Sequence, residues 1–196
     1  MSGRRGRAVA LMAASLGVAA ATARGRGQAL DRRLYLQVNR GAGGGADRAF
    51  SAVTELGSIW ASAGAATFLF LAGRRSTAAS AFGAAMATWL VGQGAKRAID
   101  RARPYGSLEG IRLLIDRPRA SSWPSSHPAV LLAFVTVAGR ELGLGPASRA
   151  ALTALAGTVA ASRVYVGVHY PADVVGGMLM GRAVADAWPS PPSRVQ

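Results

Sequence analysis

Long apolar segments joined by arginine-rich connectors constrain the fold of this chain more than any other feature of its sequence. Five of them approach the ~20 apolar residues that a helix needs to cross a bilayer. The net charge of +14 comes almost wholly from arginines, and these lie mainly at the ends of the apolar segments, as is typical of membrane proteins. We therefore predict an all-α fold, a polytopic membrane helix bundle of about six transmembrane helices. The bundle is predicted as a single domain over 1–196. The five segments are 51–72, 77–95, 128–143, 148–162 and 172–188.

A sixth apolar segment, at 8–23, lies near the N-terminus and has two interpretations. Arg4, Arg5 and Arg7 precede it, and it ends in the small residues 21–23, as the cleavage region of a signal peptide does. The alternative is a first span that is retained. Because more apolar segments follow, we favour retention.

Residues 24–50 form a polar connector that is predicted to lie at the membrane interface. Within it, LDRRLYLQVNR carries apolar side chains at Leu30, Leu34 and Val38, with arginines between them. This spacing predicts an amphipathic helix on the membrane surface. A helix packed on the bundle is the alternative.

Two glycines of the last apolar segment, Gly177 and Gly181, form a GxxxG pattern. Such a pattern more often marks close helix packing inside a bundle than a dimer seam. We therefore expect the last helix to pack tightly against another helix of the same chain.

The rarer residue types exclude several kinds of site. There is no cysteine, so neither a disulfide framework nor a thiolate metal site is possible, and two histidines are too few for a metal site made mainly of imidazoles. A strongly basic chain also suggests nucleic-acid binding. The arginines form no stripe on polar helices, so we expect no nucleic-acid partner. A soluble protein with salt-dependent DNA affinity would contradict this expectation.

Counting spans along the second half of the chain brings its rarest polar residues to one membrane face. The span that begins near residue 77 ends at Lys96, the single lysine, and the loop up to His127 stays on that side. The next span leaves this face and the one after it returns. The loop that contains His169 is therefore predicted beside Lys96 and His127.

Each histidine lies next to a predicted helix N-terminus. Pro128 follows His127 and Pro171 lies two residues after His169, and proline is favoured at the first helical position. Helix N-termini bind phosphate-like anions through free N–H groups and a positive dipole end. Asp173 is predicted in the first turn of the last helix, from where its side chain leans back toward the His169 ring. A carboxylate on one ring nitrogen fixes the tautomer and leaves the other nitrogen free to attack.

Three cations and two serines complete the predicted polar set. Lys96 and Arg103 are seven residues apart, which places them on one face of a continuing helix that the following proline ends. Together with Arg163 they can clamp an anion of charge about −2. Ser125 and Ser126 add hydroxyl and backbone donors.

Three spaced motifs in this region carry a resemblance to a known family. In order and spacing they resemble the motifs of the type 2 phosphatidic acid phosphatase (PAP2) superfamily over about residues 96–173, and the span layout extends the resemblance to the whole chain. LDRRLYLQVNR followed by TELGS is similar to the start of small bacterial members. The motifs are Lys96 with Arg103-Pro104, then Pro124-Ser125-Ser126-His127, then Ser162-Arg163 with His169 and Asp173.

The resemblance implies a small bacterial membrane lipid-phosphate phosphatase that needs no metal or other cofactor. It implies that His169 attacks phosphorus to form a phosphohistidine, and that Asp173 orients the ring. His127 is implied to protonate the leaving oxygen and then to help activate water. The residues implied to hold the phosphate oxygens are Lys96, Arg103, Ser125, Ser126 and Arg163.

The implied partners are the bilayer and a lipid phosphate that enters from one leaflet. A polyprenyl diphosphate (undecaprenyl or decaprenyl) is the first expectation. Phosphatidic acid, phosphatidylglycerol phosphate and prenyl-glycolipid phosphates are the alternatives. The resemblance suggests an active site on the extracytoplasmic face of the cell membrane, which the distribution of charge does not decide. The sequence leaves the oligomeric state open.

One position departs from the family pattern, because Ser126 stands where members usually carry glycine. Its backbone N–H is retained, but a side chain is added next to the expected phosphate. This departure supports an alternative of another class, a non-catalytic membrane protein that binds lipid phosphate. His127, His169 and Asp173 weigh against that alternative, since a protein without catalysis has no need to keep them.

Overall fold

A computed structural model of the protein describes residues 2–189, and within this range the chain is helical, with no β-strand. The all-α prediction is therefore confirmed. Two short 3₁₀ turns, Thr54–Gly57 and Pro104–Gly106, interrupt the succession of α-helices. The helices are α1 (Ser2–Thr22), α2 (Gly25–Asn39), α3 (Gly44–Val53), α4 (Ile59–Leu71), α5 (Arg75–Ile99), α6 (Ser126–Glu141), α7 (Pro146–Tyr165) and α8 (Pro171–Ala187).

Helix α6 lies at the centre of the bundle and contacts α4, α5, α7 and α8. Most of its side chains are buried, including Val130 and Val137, and a helix that is apolar on all sides is typical of such a position. Its ends therefore have neighbours on every side. The residues that follow Trp123 into this helix are consequently enclosed by the rest of the bundle.

The GxxxG pattern mediates close packing of α8 on α6, as predicted. A side chain at Gly177 would collide with the backbone carbonyl of Ser125, and one at Gly181 with that of Ala129. On another side of α8, Ser15 Oγ of α1 donates a hydrogen bond to the Gly176 carbonyl at 2.8 Å. Helix α8 is thus held between α1 and α6.

The predicted segment 51–72 is broken in the structure. Helix α3 ends at Val53, a 3₁₀ turn follows, and α4 starts after Ser58, whose extended backbone and side chain cap the helix by accepting a hydrogen bond from the Ala61 N–H at 3.0 Å. The remaining four long segments each correspond to one helix, α5 to α8. Within residues 2–189 no single helix combines the length and hydropathy required to cross a membrane. Helices α1 and α2 together have the required length and hydropathy, but the chain bends by 92° between them.

Helix α2 occupies the predicted interfacial connector, but its buried face is polar. Asp31, Tyr35 and Asn39 point into the bundle. Leu30 and Leu34 stay exposed, at 57% and 41% of their surface. The helix therefore packs on the bundle, as the alternative interpretation predicts, and it presents apolar side chains outward; a position at the membrane surface stays a prediction.

Candidate active site

Four helix ends meet at one end of the bundle and enclose a cavity of about 330 Å³. They are the C-terminal ends of α5 and α7 and the N-terminal ends of α6 and α8. The convergence predicted from counting spans is therefore present. Six of the eight predicted site residues line this cavity: Lys96, Arg103, Ser126, His127, Arg163 and His169.

His169 lies just ahead of α8, and its two ring nitrogens have different surroundings. Nε2 is 3.2 Å from Nη1 of Arg103, beside the cavity. Nδ1 is 3.5 Å from Asp173 Oδ2, an ion-pair distance that is longer than a formed hydrogen bond. The ring is buried, so the carboxylate and the guanidinium together define its orientation. Nε2 is the nitrogen that can reach a bound phosphoryl group.

Asp173 lies behind His169 and does not line the cavity. Its carboxylate accepts hydrogen bonds from the Tyr170 N–H at 2.8 Å, from Ser122 Oγ and from Arg101 Nη1 at 2.6 Å. A buried carboxylate with this many donors is firmly held in one position.

Arg101 has a structural position that the sequence did not predict. An arginine in such a connector is most often solvated. The guanidinium instead bridges Asp173 and Asp31 and stacks over the Tyr170 ring at 4.5 Å. Asp31 of α2 also accepts a hydrogen bond from the Ala172 N–H at 2.8 Å, at the start of α8. The polar face of α2 thus supports the carboxylate that faces His169.

Lys96 and Arg103 hold the loop that closes the site. Helix α5 ends at Ile99, where Asp100 takes a left-handed conformation with φ 44°, so Arg103 lies in the loop and not on a continuing helix. Lys96 Nζ donates to the carbonyls of Ser121 and Pro124 at 2.9 and 2.8 Å. Arg103 likewise donates to backbone carbonyls, of Ala120 at 2.7 Å and Val168 at 2.8 Å. Both cations therefore position the backbone around the cavity as well as lining it.

Arg163 reaches the cavity from the last turn of α7. Its Nη1 donates to Thr54 Oγ1 at 2.9 Å, while its buried Nε has no hydrogen-bond partner within residues 2–189. Glu55 and Asp116 line an adjoining cavity together with His127 and Arg163. Thr54 and Glu55 belong to the TELGS segment, whose place at the site the sequence alone did not reveal.

The two serines of the PSSH motif have different positions. Ser125 lies behind the cavity, where its N–H donates to the Asp173 carbonyl at 3.0 Å, so this N–H does not face a phosphate. Ser126 lines the cavity, and its Oγ lies against the backbone of α5 at Gly92. Both hydroxyls are buried without a hydrogen-bond partner in the described chain. A Cβ at Gly92 would lie 3.5 Å from the Ser126 hydroxyl, which is an ordinary contact distance.

Burial, helped by the positive charges around the cavity, keeps both imidazoles neutral. Burial lowers the pKa of His127 to about 3, and the positive charge of Arg163 adds to the effect. Burial and the neighbouring Arg103 lower the pKa of His169 well below its ordinary value. Burial also lowers the pKa of Lys96 to about 7. A neutral His169 is the nucleophilic form.

Aromatic and aliphatic side chains also line this cavity. Ile59 and Trp60 come from the start of α4, Trp89 from α5 and Val130 from α6. Trp60 is 82% exposed, so the lining at Trp60 reaches the outer surface of the bundle. The cavity lining therefore combines cationic and apolar side chains.

Three aromatic residues next to the site motifs pack inside the bundle. Trp123, Tyr165 and Tyr170 are all buried. Trp123 packs under Gly176 of α8, and Tyr165 Oη donates to Asp47 at 2.7 Å. The hydroxyls of Tyr165 and Tyr170 have hydrogen-bond partners there, whereas the buried Nε1 of Trp123 has none within residues 2–189.

A comparison with protein families decides the family. The family model described as PAP2 superfamily matches residues 77–190. The chain belongs to the PAP2 superfamily. The match covers the three motifs between Lys96 and Asp173, whereas the LDRRLYLQVNR and TELGS segments lie before it.

Named relatives and solved structures of PAP2 proteins are also similar to this chain. A decaprenylphosphoryl-5-phosphoribose phosphatase of Mycobacterium tuberculosis is 36% identical over 89 residues, which cover 45% of this chain and 46% of the relative. An undecaprenyl-diphosphatase of Sulfolobus acidocaldarius is 30% identical over 96 residues, covering 47% and 44%. The matches thus span less than half the length of these curated relatives.

Two solved structures share the fold over most of the chain. The crystal structure of Aquifex aeolicus LpxE superposes with a TM-score of 0.72 at 27% identity, covering 80% of this chain and 92% of that one. A transmembrane PAP2-type phosphatidylglycerolphosphate phosphatase from Bacillus subtilis also gives 0.72, at 21% identity, covering 91% and 92%. At that lower identity the likeness concerns the fold alone.

Proposed function

We propose that this PAP2 protein is a multi-pass membrane phosphatase that hydrolyses a lipid phosphate through a phosphohistidine intermediate. The observation that carries the proposal is the arrangement of His169, with Nε2 beside Arg103 in a cationic cavity and Nδ1 facing Asp173. A buried neutral imidazole next to fixed cations suits attack on a phosphoryl group.

In the proposed first step, the Nε2 lone pair of His169 attacks phosphorus. The nitrogen–phosphorus bond forms as the bond from phosphorus to the leaving oxygen breaks. His127, protonated once the phosphate dianion is bound, gives its proton to the leaving oxygen. Asp173 stabilises the positive charge on the His169 ring through Nδ1. Lys96, Arg103 and Arg163 stabilise the negative charge that spreads over the equatorial oxygens.

In the second step, the neutral His127 accepts a proton from water as the water oxygen attacks phosphorus. The nitrogen–phosphorus bond breaks, His169 regains its neutral form and inorganic phosphate leaves. Ser126 contributes its backbone N–H at the start of α6, where the helix dipole favours an anion. Ser125 is proposed to have a structural role and no contact with the phosphate, because its N–H donates a hydrogen bond to the backbone carbonyl of Asp173.

A polyprenyl-linked phosphate is the proposed substrate class, with a polyprenyl diphosphate first. The apolar part of the cavity lining, at Ile59, Trp60 and Trp89, supports a substrate with a hydrocarbon chain. The names of the two curated relatives also refer to polyprenyl-linked compounds, and one of them favours a prenyl-glycolipid phosphate as the second candidate.

The test is phosphate release by the purified protein in detergent with a chelator present. The panel contains undecaprenyl diphosphate, a decaprenyl-linked sugar phosphate, phosphatidic acid and phosphatidylglycerol phosphate, with inorganic pyrophosphate as the tail-free control. We expect release from polyprenyl substrates above the tail-free control and no release by a folded His169→Ala variant. Binding without release from any substrate would support the non-catalytic alternative.

The membrane position is part of the proposal. Large apolar side chains exposed on α2 and α4, such as Leu30, Trp60 and Leu71, support contact with lipid. The proposed site faces the extracytoplasmic side. Because the chain has no cysteine, single exposed cysteines at Glu109 and Arg74 report the two ends of the bundle. We expect a membrane-impermeant maleimide to label Glu109→Cys but not Arg74→Cys in intact cells, and the reverse pattern would overturn the orientation.

A further inference from the structure

A second cavity, of about 340 Å³, lies at the end of the bundle opposite the histidines. It is lined by the N-terminal part of α1, the C-terminal parts of α6 and α8, and the first turns of α7. None of its lining residues belongs to the proposed catalytic set. Its lining arginines are Arg4, Arg7, Arg140, Arg149 and Arg182.

The charge of this arginine cavity is far from balanced. Five guanidinium groups line it against one lining carboxylate, Asp186, so the lining residues carry a net charge of +4. Arg7 binds both oxygens of Asp186 at 2.8 Å, and Arg182 shares the same carboxylate at 3.3 Å. Both carboxylate oxygens of Asp186 are thus bound by the neighbouring Arg7 and Arg182.

Two of the arginines have no carboxylate of their own in the described chain. Arg140 donates to the carbonyls of Ala185 and Trp188 at 3.0 and 3.3 Å, and its buried Nε has no partner there. Arg149, exposed in the first turns of α7, forms no ion pair within residues 2–189. Guanidinium groups held in this way present free donors to an oxyanion with more than one oxygen.

The remaining wall of the arginine cavity consists of small side chains, two of them apolar and two of them threonines. Val135 and Thr136 of α6 and Ala150 and Thr153 of α7 form it. Helix α1 packs on α8 and helix α7 packs on α6, so a ligand in this cavity contacts helices from both pairs. An anion with an attached hydrocarbon chain fits this combination of arginines and apolar wall better than a free ion does.

We propose that the arginine cavity binds the phosphodiester headgroup of an anionic glycerophospholipid from the leaflet opposite the active site. The headgroup phosphate bridges Arg140 and Arg149, and its glycerol and first methylenes lie against Val135 and Ala150. The bound lipid adds contacts to α1, α6, α7 and α8 at this end of the bundle and thereby stabilises it. A phosphodiester is distinct from the phosphomonoester or diphosphate that the active site is proposed to cleave.

The test is the thermal unfolding midpoint of the full chain in a neutral detergent, titrated with short-chain phosphatidylglycerol. Phosphatidylcholine and inorganic phosphate are the comparison ligands. We expect phosphatidylglycerol to raise the midpoint and phosphatidylcholine to leave it unchanged. In the Arg163→Gln variant, which weakens phosphate binding at the active site, an equal response to inorganic phosphate at the same concentration would overturn the lipid assignment in favour of a free anion.

Matched double variants locate the effect. Arg140→Gln with Arg149→Gln is expected to weaken phosphatidylglycerol binding by about tenfold or more, since two guanidinium contacts are lost. Arg5→Gln with Arg74→Gln removes the same charge from exposed positions outside the cavity and is expected to bind normally. Equal weakening by both pairs would overturn the proposal in favour of general electrostatic attraction. Arg149→Gln alone, at an exposed side chain, serves if the first pair fails to fold.

Two further measurements keep this proposal separate from the proposed function. Phosphate release by the Arg140→Gln, Arg149→Gln variant is expected at the wild-type rate with saturating substrate. Arg163→Gln is expected to lose phosphate release but to keep its response to phosphatidylglycerol. Loss of that response in Arg163→Gln would mean that the lipid occupies the active site, and would overturn the second site.

Discussion

His169 Nδ1 lies 3.5 Å from Asp173 Oδ2, and three further donors hold the same carboxylate from behind. The imidazole therefore contacts a carboxylate that is already in place before any substrate binds. This preorganisation is the feature of the site on which the phosphohistidine proposal most depends, because it fixes which ring nitrogen is free to attack.

Asp173→Asn is expected to lower kcat by about 100-fold or more, because the amide no longer stabilises a positively charged His169 ring. The matched control is Asp31→Asn, which alters the other carboxylate of Arg101 but contacts neither histidine. We expect that control to retain kcat within about tenfold. Steady-state phosphate release measures both, and equal losses would mean that Asp173 acts only by supporting α8.

Acid pH is expected to destabilise the protein through the buried histidines. An unfolded imidazole binds a proton below pH ~6.5, whereas folded His127 has a pKa of about 3. The unfolded state therefore binds more protons between these values, so stability is full above pH ~6.5 and falls as the pH drops toward 3. Thermal unfolding midpoints at pH 7.5, 6 and 5 measure this slope. His127→Gln should flatten it, leaving the share of His169, and an unchanged slope would contradict the low pKa.

Anion binding is expected to raise the pKa of His127. Burial and the charge of Arg163 lower that pKa, and a phosphate or vanadate dianion in the cavity offsets the positive charge. The shift would supply the protonated acid that the first step of the proposed mechanism requires. Ring resonances followed by NMR against pH, with and without vanadate, measure it. The chain has two histidines, so His169→Gln assigns the signals. A pKa that stays low with vanadate bound would count against His127 as the acid.

The sequence alone predicts that the site residues meet at one end of the bundle. It does not predict which side chains hold them in place. Counting apolar segments brings Lys96, His127 and His169 to one end of the bundle. Successive spans run in opposite directions, so the number of spans between two loops decides whether those loops lie at the same end. The contribution of α2, which holds Arg101 and the start of α8, could not be predicted by counting spans. An ion pair and a helix cap bury the Asp31 face, while the apolar Leu30 face stays outside. Hydrophobic periodicity cannot reveal which face of such a helix packs inward.

Local backbone conformation accounts for another difference between sequence and structure. The seven-residue spacing of Lys96 and Arg103 predicted a single helix face, but the helix ends where Asp100 becomes left-handed. Nothing in the residue types between them marks this end, because aspartate is compatible with either conformation. Arg103 still reaches the cavity, because its guanidinium binds the carbonyl of Ala120 in the loop and the carbonyl of Val168 ahead of α8.

Ser126→Gly tests whether the departure from the family pattern affects catalysis. The Ser126 hydroxyl lies against Gly92, so we expect its removal to change kcat/KM by less than about threefold, under 1 kcal/mol in the barrier. Phosphate release from the best substrate of the panel measures this. A gain of about tenfold or more would mean instead that the hydroxyl crowds the bound phosphate. Ser125→Gly provides the comparison at the neighbouring position, which does not line the cavity.

Close packing of α8 on α6 is expected to control both stability and activity. At Gly177 an added methyl group meets the Ser125 carbonyl, part of the backbone that leads into the helix of His127. Gly177→Ala should therefore destabilise the protein by about 2 kcal/mol, as overpacking does. It should also reduce kcat, because α8 carries Asp173.

Gly157→Ala on α7 is the matched control, since a methyl group there meets no atom within 4 Å. The control is expected to be neutral or to stabilise by up to ~1 kcal/mol, from helix propensity alone. Unfolding midpoints and phosphate release measured on the same preparations test the pair. Equal behaviour of the two variants would mean that α8 can move away from α6 without disturbing the site.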